Sequence, residues 1–252
     1  MKHILTQKDG LPYEIVNKDG SAGICLLCEH ASASIPDRLG DLGLSKEDRF
    51  SHAVWDIGAD ALARALSAKL DAPLIVARTS RLVYDLNRPP HAPDVMPSQS
   101  GEIRVPGNRD ISEAEKAART ADIYEPFHTA VSTLLDAFEA SPVLVTIHTF
   151  TPVWQGKERT TELGLLHDID ARLALAMMKV SDTECVTRLN EPYSAKDGVT
   201  HSLQRHAIPR GLLNVMIEVR NDLLEDEAQI LRMSDLLAEM VSRACETEVS
   251  TA

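Results

Sequence analysis

The sequence predicts an α/β fold, a three-layer α/β/α sandwich on a mostly parallel mixed sheet, and three observations carry that reading. Apolar runs rich in leucine and β-branched residues recur at ICLLCEHAS (24–32), LIVARTSRLVYDLNRPP (74–90), VLVTIHTFTP (143–152) and LNVMIEVRND (213–222). Runs without polar alternation read as strands buried on both faces, the mark of a largely parallel sheet. Segments of helical periodicity separate them with no internal repeat, which implies helices layered on both sides of one sheet. Each run also breaks off into polar residues, and ligands of open α/β sheets gather at the carboxyl ends of the strands.

Taken in order, PYEIVN between the turns Asp9-Gly10 and Asp19-Gly20 predicts an edge strand or surface arm. After the first long run, Ala59, Leu62, Ala63, Leu66 and Leu70 recur at helical spacing, predicting a helix over 57–70 with Trp55-Asp56 at its entry. A strand over 73–77 leads into SRLVYDLNRPP, whose two prolines end regular structure. Residues 91–108 are rich in proline, glycine and small polar residues and predict a long loop of the kind that serves as a lid or binding loop. Ser112 and Glu115 match a capping box at the start of the next helix, which Pro126 kinks or divides. Then come the strand at 143–147, the short strand LGLLH, the helix DARLALAMMKV, a strand at ECVTRL, a turn-rich stretch, the last strand and a closing amphipathic helix.

The chain has 252 residues, 44% of them hydrophobic and 25% charged, enough for a single α/β domain over 1–252 with a full core. A net charge of −12 argues against nucleic acid or anionic lipid as a partner, so attraction to an anionic substrate has to be local. The start MKHILTQKDG lacks the apolar stretch of a signal peptide and no run has the length of a membrane span, which places the expected location in the cytoplasm. Cys25, Cys28, Cys185 and Cys245 are expected as buried, reduced thiols. The C-x-x-C lies inside a strand, where residues three apart face opposite sides, and no second such pair completes a metal site.

The polar strand ends carry the chemistry. His30 and His148 each follow a buried strand, and two such imidazoles suit a three-ligand catalytic zinc site with an open fourth position. Asp56, Glu29 and Asp85 are the candidates for a third ligand: Asp56 could instead cap a helix, and Asp85 could pair with an arginine. Glu218 interrupts VMIEVR, where a carboxylate is costly unless paired, metal-bound or protonated. It reads either as the partner of Arg220 on the same strand face or as a general base that takes a proton from the attacking water and delivers it to a leaving amine. Arg81, Asn87 and Arg88, with Thr149 beside His148, are expected to bind substrate, because guanidinium groups grip carboxylates through paired hydrogen bonds. His201 and His206 lie in the loop before the last strand, where one could stabilise an oxyanion or both could be solvated.

Together CEHAS, WDIGAD, SRLVYDLNRPP, HTFTP, THSLQRHAIPRG and IEVRND resemble the N-formylglutamate amidohydrolase family over about residues 25–222. The resemblance implies a zinc-exopeptidase-like fold, a bound Zn2+ or other divalent metal, and hydrolysis of N-formyl-L-glutamate to formate and L-glutamate, the last step of one route of histidine breakdown. It puts His30 and His148 at metal positions, Glu218 at the catalytic carboxylate, and Arg81, Asn87, Arg88 and Arg220 near the substrate carboxylates. The exopeptidase pattern has a glutamate three residues after its first histidine; here that residue is Ala33, and Asp56 is the expected third ligand. The expected partner is therefore a small anionic N-acyl amino acid. The alternatives are an amidase or carboxypeptidase-like enzyme acting on a peptide or cell-wall fragment, and a non-catalytic binding protein with a degenerate metal site.

Overall fold

The computed structural model describes residues 3–181 and 185–249. Its elements run β1 (Tyr13–Val16), β2 (Ile24–Cys28), α1 (Ala59–Leu70), β3 (Leu74–Ala77), a hairpin of β4 (Gln99–Ser100) and β5 (Ile103–Arg104), α2 (Glu113–Arg119) and α3 (Glu125–Asp136). The second half adds β6 (Val143–Phe150), a hairpin of β7 (Val153–Trp154) and β8 (Lys157–Glu158), β9 (Leu163–Leu166), α4 (Arg172–Val180), β10 (Thr187–Leu189), β11 (Asn214–Arg220) and α5 (Glu227–Val249).

Seven strands form one mixed sheet in the order β1-β3-β2-β6-β11-β9-β10. The central four, β3, β2, β6 and β11, are mutually parallel, so their carboxyl ends share one edge; β1 and β9 run antiparallel to their inner neighbours. Strand alternation sorts the core into two layers. Leu26, Cys28, Val145, Ile147, Val215 and Ile217 face α1, α4 and α5, whereas Cys25, Leu27, Leu144 and Met216 face α3 and the loops around it. The two thiols of the C-x-x-C thus lie on opposite faces of the sheet, as the period of a strand requires. Cys185 and Cys245 are half-buried, not fully buried as expected.

Several local predictions meet the structure with an instructive offset. Helix α1 starts at Ala59 because Gly58 takes φ 88°, a left-handed conformation natural to glycine that breaks helical continuity just after Asp56. The hydroxyl of Ser112 accepts the Glu115 N–H, but the Glu115 carboxylate turns to Arg119, so only half of the capping box forms. Pro126 has no N–H to continue the ladder, and the helix passes through a π turn over Thr120–Tyr124 before α3 begins. Of ECVTRL the structure forms a strand at Thr187–Leu189; Glu184 lies outside the described residues.

The long loop at 91–108 is pinned, not loose. Val95, Met96 and Val105 are buried, and the Asn108 amide donates to the carbonyls of Leu82 and Pro97 while its oxygen accepts from the fully buried Arg119. Its tip forms the β4–β5 hairpin. Among the described residues no helix is long and apolar enough to cross a membrane.

Close packing is tightest where β9 passes the 191 turn. A Cβ built on Gly164 would stand 2.1 Å from the Glu191 carbonyl oxygen, a backbone atom that cannot swing aside. Gly164→Ala is therefore expected to cost roughly 1–3 kcal/mol, the usual range for overpacking, measured as a lowered midpoint in urea unfolding; an unchanged midpoint would show that the strand relaxes freely.

Candidate active site

The parallel strands deliver their polar ends to one place. His30 follows β2, His148 lies near the end of β6, and Asp56 sits on the loop entering α1, where the Asp56 N–H donates to the His30 carbonyl at 2.9 Å. All three side chains are buried, and one ligand atom from each lies within 4.8 Å of the others. Asp56 caps nothing with its side chain. Its Oδ2 instead faces Nδ1 of His148 at 2.9 Å and Nδ1 of His30 at 3.3 Å, while Oδ1 accepts from Arg81 at 3.2 Å.

The far nitrogen of each imidazole meets a second acid. His30 Nε2 lies 2.8 Å from Asp85 Oδ1, and His148 Nε2 lies 3.2 Å from Glu29 Oε2, in ion-pair reach though off the line of a hydrogen bond. An ionised carboxylate can only accept, so Asp85 at Nε2 is a partner that would keep the ring oriented when Nδ1 turns toward a cation shared with Asp56. Asp85 is anchored in turn by Arg81 at 3.0 Å and by the Asn87 N–H at 3.0 Å. Glu29 and Asp85, each a candidate ligand by sequence, thus stand behind the imidazoles, and Asp56 stands between them.

Burial opposes ionisation of Asp56 and Asp85, yet His30 beside both, with His148 on Asp56 and Arg81 on Asp85, holds their carboxyls well below the usual range. Burial likewise opposes charging His148, but Glu29 and Asp56 raise its pKa well above 6.5. The same oxygens that would hold a proton there would hold a cation. Glu218 behaves oppositely. It faces His148 across the β11–β6 pairing, its Oε2 has no hydrogen-bond partner among the described residues, and burial pushes its carboxyl up to about 8.

Two buried imidazoles and one carboxylate, with the outer nitrogens facing acids, form a donor set suited to a divalent cation such as zinc. The orphaned oxygens of Glu29 and Glu218, sealed in with few cations, also fit a site designed around positive charge.

A cavity of about 860 Å³ opens over this cluster, lined by His30, Asp56, Arg81, Asn87, Arg88, His148, Thr149 and Glu218 and walled further out by the β4–β5 and β7–β8 hairpins. Asn87 lines it but spends its amide on the 199–202 segment, donating to the Val199 carbonyl and accepting the Ser202 N–H. Arg88 is braced by Asp94 and by the carbonyls of Asn87 and Gly198. Thr149 fixes the Asp56 loop by donating to the Ile57 carbonyl at 2.9 Å.

Two expected site residues are placed elsewhere. Arg220 neither neutralises Glu218 nor lines the cavity: the chain turns at the end of β11, and the guanidinium reaches Asp222 at 2.8 Å and Glu162 at 3.2 Å. His201 sits behind the cavity wall, its Nε2 2.8 Å from the Tyr124 hydroxyl, next to the His128–His206 pair. Burial pushes its imidazole down to about 4. Conversely, sequence reasoning passed over His52, which lies 3.7 Å from Asp56 Oδ1, and Tyr193 and Trp154 on the outer wall. The four-residue spacing of His52 and Asp56 was the available signal.

The chain is similar to known proteins over nearly its whole length. A gene product of Agrobacterium tumefaciens of known crystal structure is 46% identical, with 97% of this chain and 99% of that chain covered and a TM-score of 0.95. The N-formylglutamate amidohydrolase of Ralstonia eutropha shares the fold at 18% identity, with 96% and 99% of the two chains covered and a TM-score of 0.69. No curated protein sequence matches the chain. The family model of N-formylglutamate amidohydrolase matches residues 22–225, and the chain belongs to that hydrolase family.

Proposed function

We propose that this protein hydrolyses the amide bond of a small N-acyl amino acid, N-formyl-L-glutamate being the family reaction, with a divalent metal, zinc by donor type, held by His30, Asp56 and His148. The observation that carries the reading is the buried His-Asp-His group opening into a cavity that also holds Glu218. When bound, such a cation supplies Lewis acidity, polarising a carbonyl and acidifying water.

The remaining work falls to the chain's own residues. Asp85 and Glu29 orient the two imidazoles. Glu218, raised to about 8 by burial, would be drawn toward its ionised form by positive charge at the triad, which suits a group that must both accept and return a proton. It takes a proton from the attacking water and returns it to the departing amine nitrogen. Arg81 and Arg88 give the cavity wall the positive charge that orients the substrate's α-carboxylate. In a chain of net charge −12 these two guanidinium groups are the lining charges that would admit an anion.

Three outcomes are expected. His148→Ala should lose both stoichiometric zinc, read by elemental analysis, and hydrolysis of N-formyl-L-glutamate, read as released formate; full turnover in that variant would remove the reading. Asp85→Asn and Glu29→Gln should keep the fold but weaken zinc roughly 10–100-fold, as loss of partners behind metal-bound histidines does elsewhere, measured by chelator competition.

In zinc-stripped protein Glu218 gives a third. Its folded pKa of about 8 exceeds the ordinary 4.5, so its contribution to stability is full below about 4.5 and is lost as pH rises through about 8. Glu218→Gln does not titrate, and its advantage in melting temperature over the parent should widen across that window; a constant difference would mean that the carboxyl is not raised.

A further inference from the structure

We propose that the outer half of the cavity, walled by Val153, Trp154 and Tyr193, is the subsite for the side chain of the substrate's amino acid, and that it selects an apolar or aromatic side chain over a carboxylate. The proposal rests on the amidohydrolase reading above and narrows it to a substrate class.

The first support is a wall built in advance. Trp154 and Val153 both line the cavity, yet are 43% and 49% exposed. Apolar surface left open in the wall of a concave site is the kind that a ligand covers. Trp154 is also braced from behind. The Arg159 guanidinium lies 5.4 Å from the Trp154 ring, 5.4 Å from Phe150 and 5.1 Å from Tyr193, and donates to the Tyr193 hydroxyl at 3.0 Å and the Thr151 carbonyl at 3.2 Å. Across the mouth, Gly101 has φ +59° and comes so near Trp154 that an added Cβ would stand 3.1 Å from the indole. The ring is therefore held, and little ordering remains to be done on binding.

The second support is charge. Both Nη groups of Arg81 are engaged by Asp56 and Asp85. Arg88 gives Nε to Asp94 and Nη1 to two carbonyls. We assign what remains of their donors to one carboxylate, the α group that every N-acyl amino acid carries. A second carboxylate would meet no lining guanidinium with an uncommitted fork. It would instead approach Glu102 and Asp197, which line the same cavity. Desolvating an anion there is costly, whereas apolar contact with an indole is favourable.

The third is continuity. HTFTPVW (148–154) carries a candidate metal ligand and the aromatic wall on one short stretch, from the end of β6 into the β7–β8 hairpin. The volume of about 860 Å³ is also near the upper end of the roughly 300–1,000 Å³ that small-molecule sites span, and leaves room beyond a formyl group and an α-carboxylate.

The test is a steady-state comparison, on zinc-loaded protein, of N-formyl-L-phenylalanine, N-formyl-L-leucine and N-formyl-L-glutamate. The expected kcat/KM for the two apolar substrates exceeds that for the glutamate compound by about tenfold or more, equivalent to about 1.4 kcal/mol. Trp154→Ala should reduce that ratio about tenfold, mainly through KM, while Trp154→Phe should retain it. Calorimetric binding of the same compounds to zinc-loaded Glu218→Gln reads the subsite without turnover and should give the same order. A preference for the glutamate compound, or a ratio untouched in Trp154→Ala, overturns the subsite and leaves the amidohydrolase standing. If none of the three is hydrolysed the amidohydrolase reading falls, and the calorimetric order alone then upholds or overturns the apolar subsite.

Discussion

The site depends on one carboxylate. Asp56 is almost wholly buried, and its two oxygens serve opposite sides: Oδ2 gathers both imidazoles and, at 3.4 Å, the Thr149 N–H, while Oδ1 takes Arg81. An unpaired acid at that depth would be strongly unfavourable. The strand ends therefore have to come together for Asp56 to be buried at all. Its backbone is tied to His30 on one side and, through Ile57, to Thr149 on the other, so the loop entering α1 is fastened to both β2 and β6. The left-handed turn at Gly58, packed against Leu224, then releases the chain into the helix. Removing the acid would leave two imidazoles facing each other with no common partner.

Charge within the cluster follows from the same arrangement. Glu29, Asp56, Asp85 and Glu218 are all buried, against Arg81 as the permanent cation in direct contact with two of them. Acids close to Arg81 and the imidazoles ionise readily, whereas Glu218, whose Oε2 has no donor, is raised. Neighbouring carboxyls are thereby split into ionised anions and one raised acid, the kind of separation that acid and base chemistry on one fold requires. The excess of buried negative charge would also favour a cation at the triad, where protons and a divalent metal would compete for the same oxygens and nitrogens.

How much of this was legible in the sequence varied with how local the cause was. The parallel strands, the edge strand at PYEIVN and the start of α2 were readable because hydrophobic period and capping act over a few residues. The convergence of His30 and His148 was readable because parallel strands place their carboxyl ends together whatever the loops do. Whether Asp56 capped α1 was not, since a capping acid and a buried acid look alike until Gly58 is seen to interpose. Arg220 misled because strand alternation puts it on the face of Glu218, and that rule lapses where the strand ends and nearer acids compete. His201 misled because a loop-like stretch rich in polar residues folds into helical turns that bury it against Tyr124. The outer wall was silent for a different reason. Trp154 and Gly101 acquire meaning only when two hairpins distant in sequence meet.

That difference in legibility reflects a physical division within the molecule. The floor of the cavity is made by residues on or next to buried strands, where a shift of one position would exchange faces and expose the core. His148 and Glu218 are held in register by the β6–β11 ladder itself, so their separation is a property of the sheet. The wall is made by hairpin tips, which can change side chains without disturbing any layer of the core. On the proposed reading, reaction class is set where the fold is least free to vary, and substrate choice where it is most free. A family assignment consequently constrains the chemistry of the floor far more tightly than the identity of any group that would rest against Trp154.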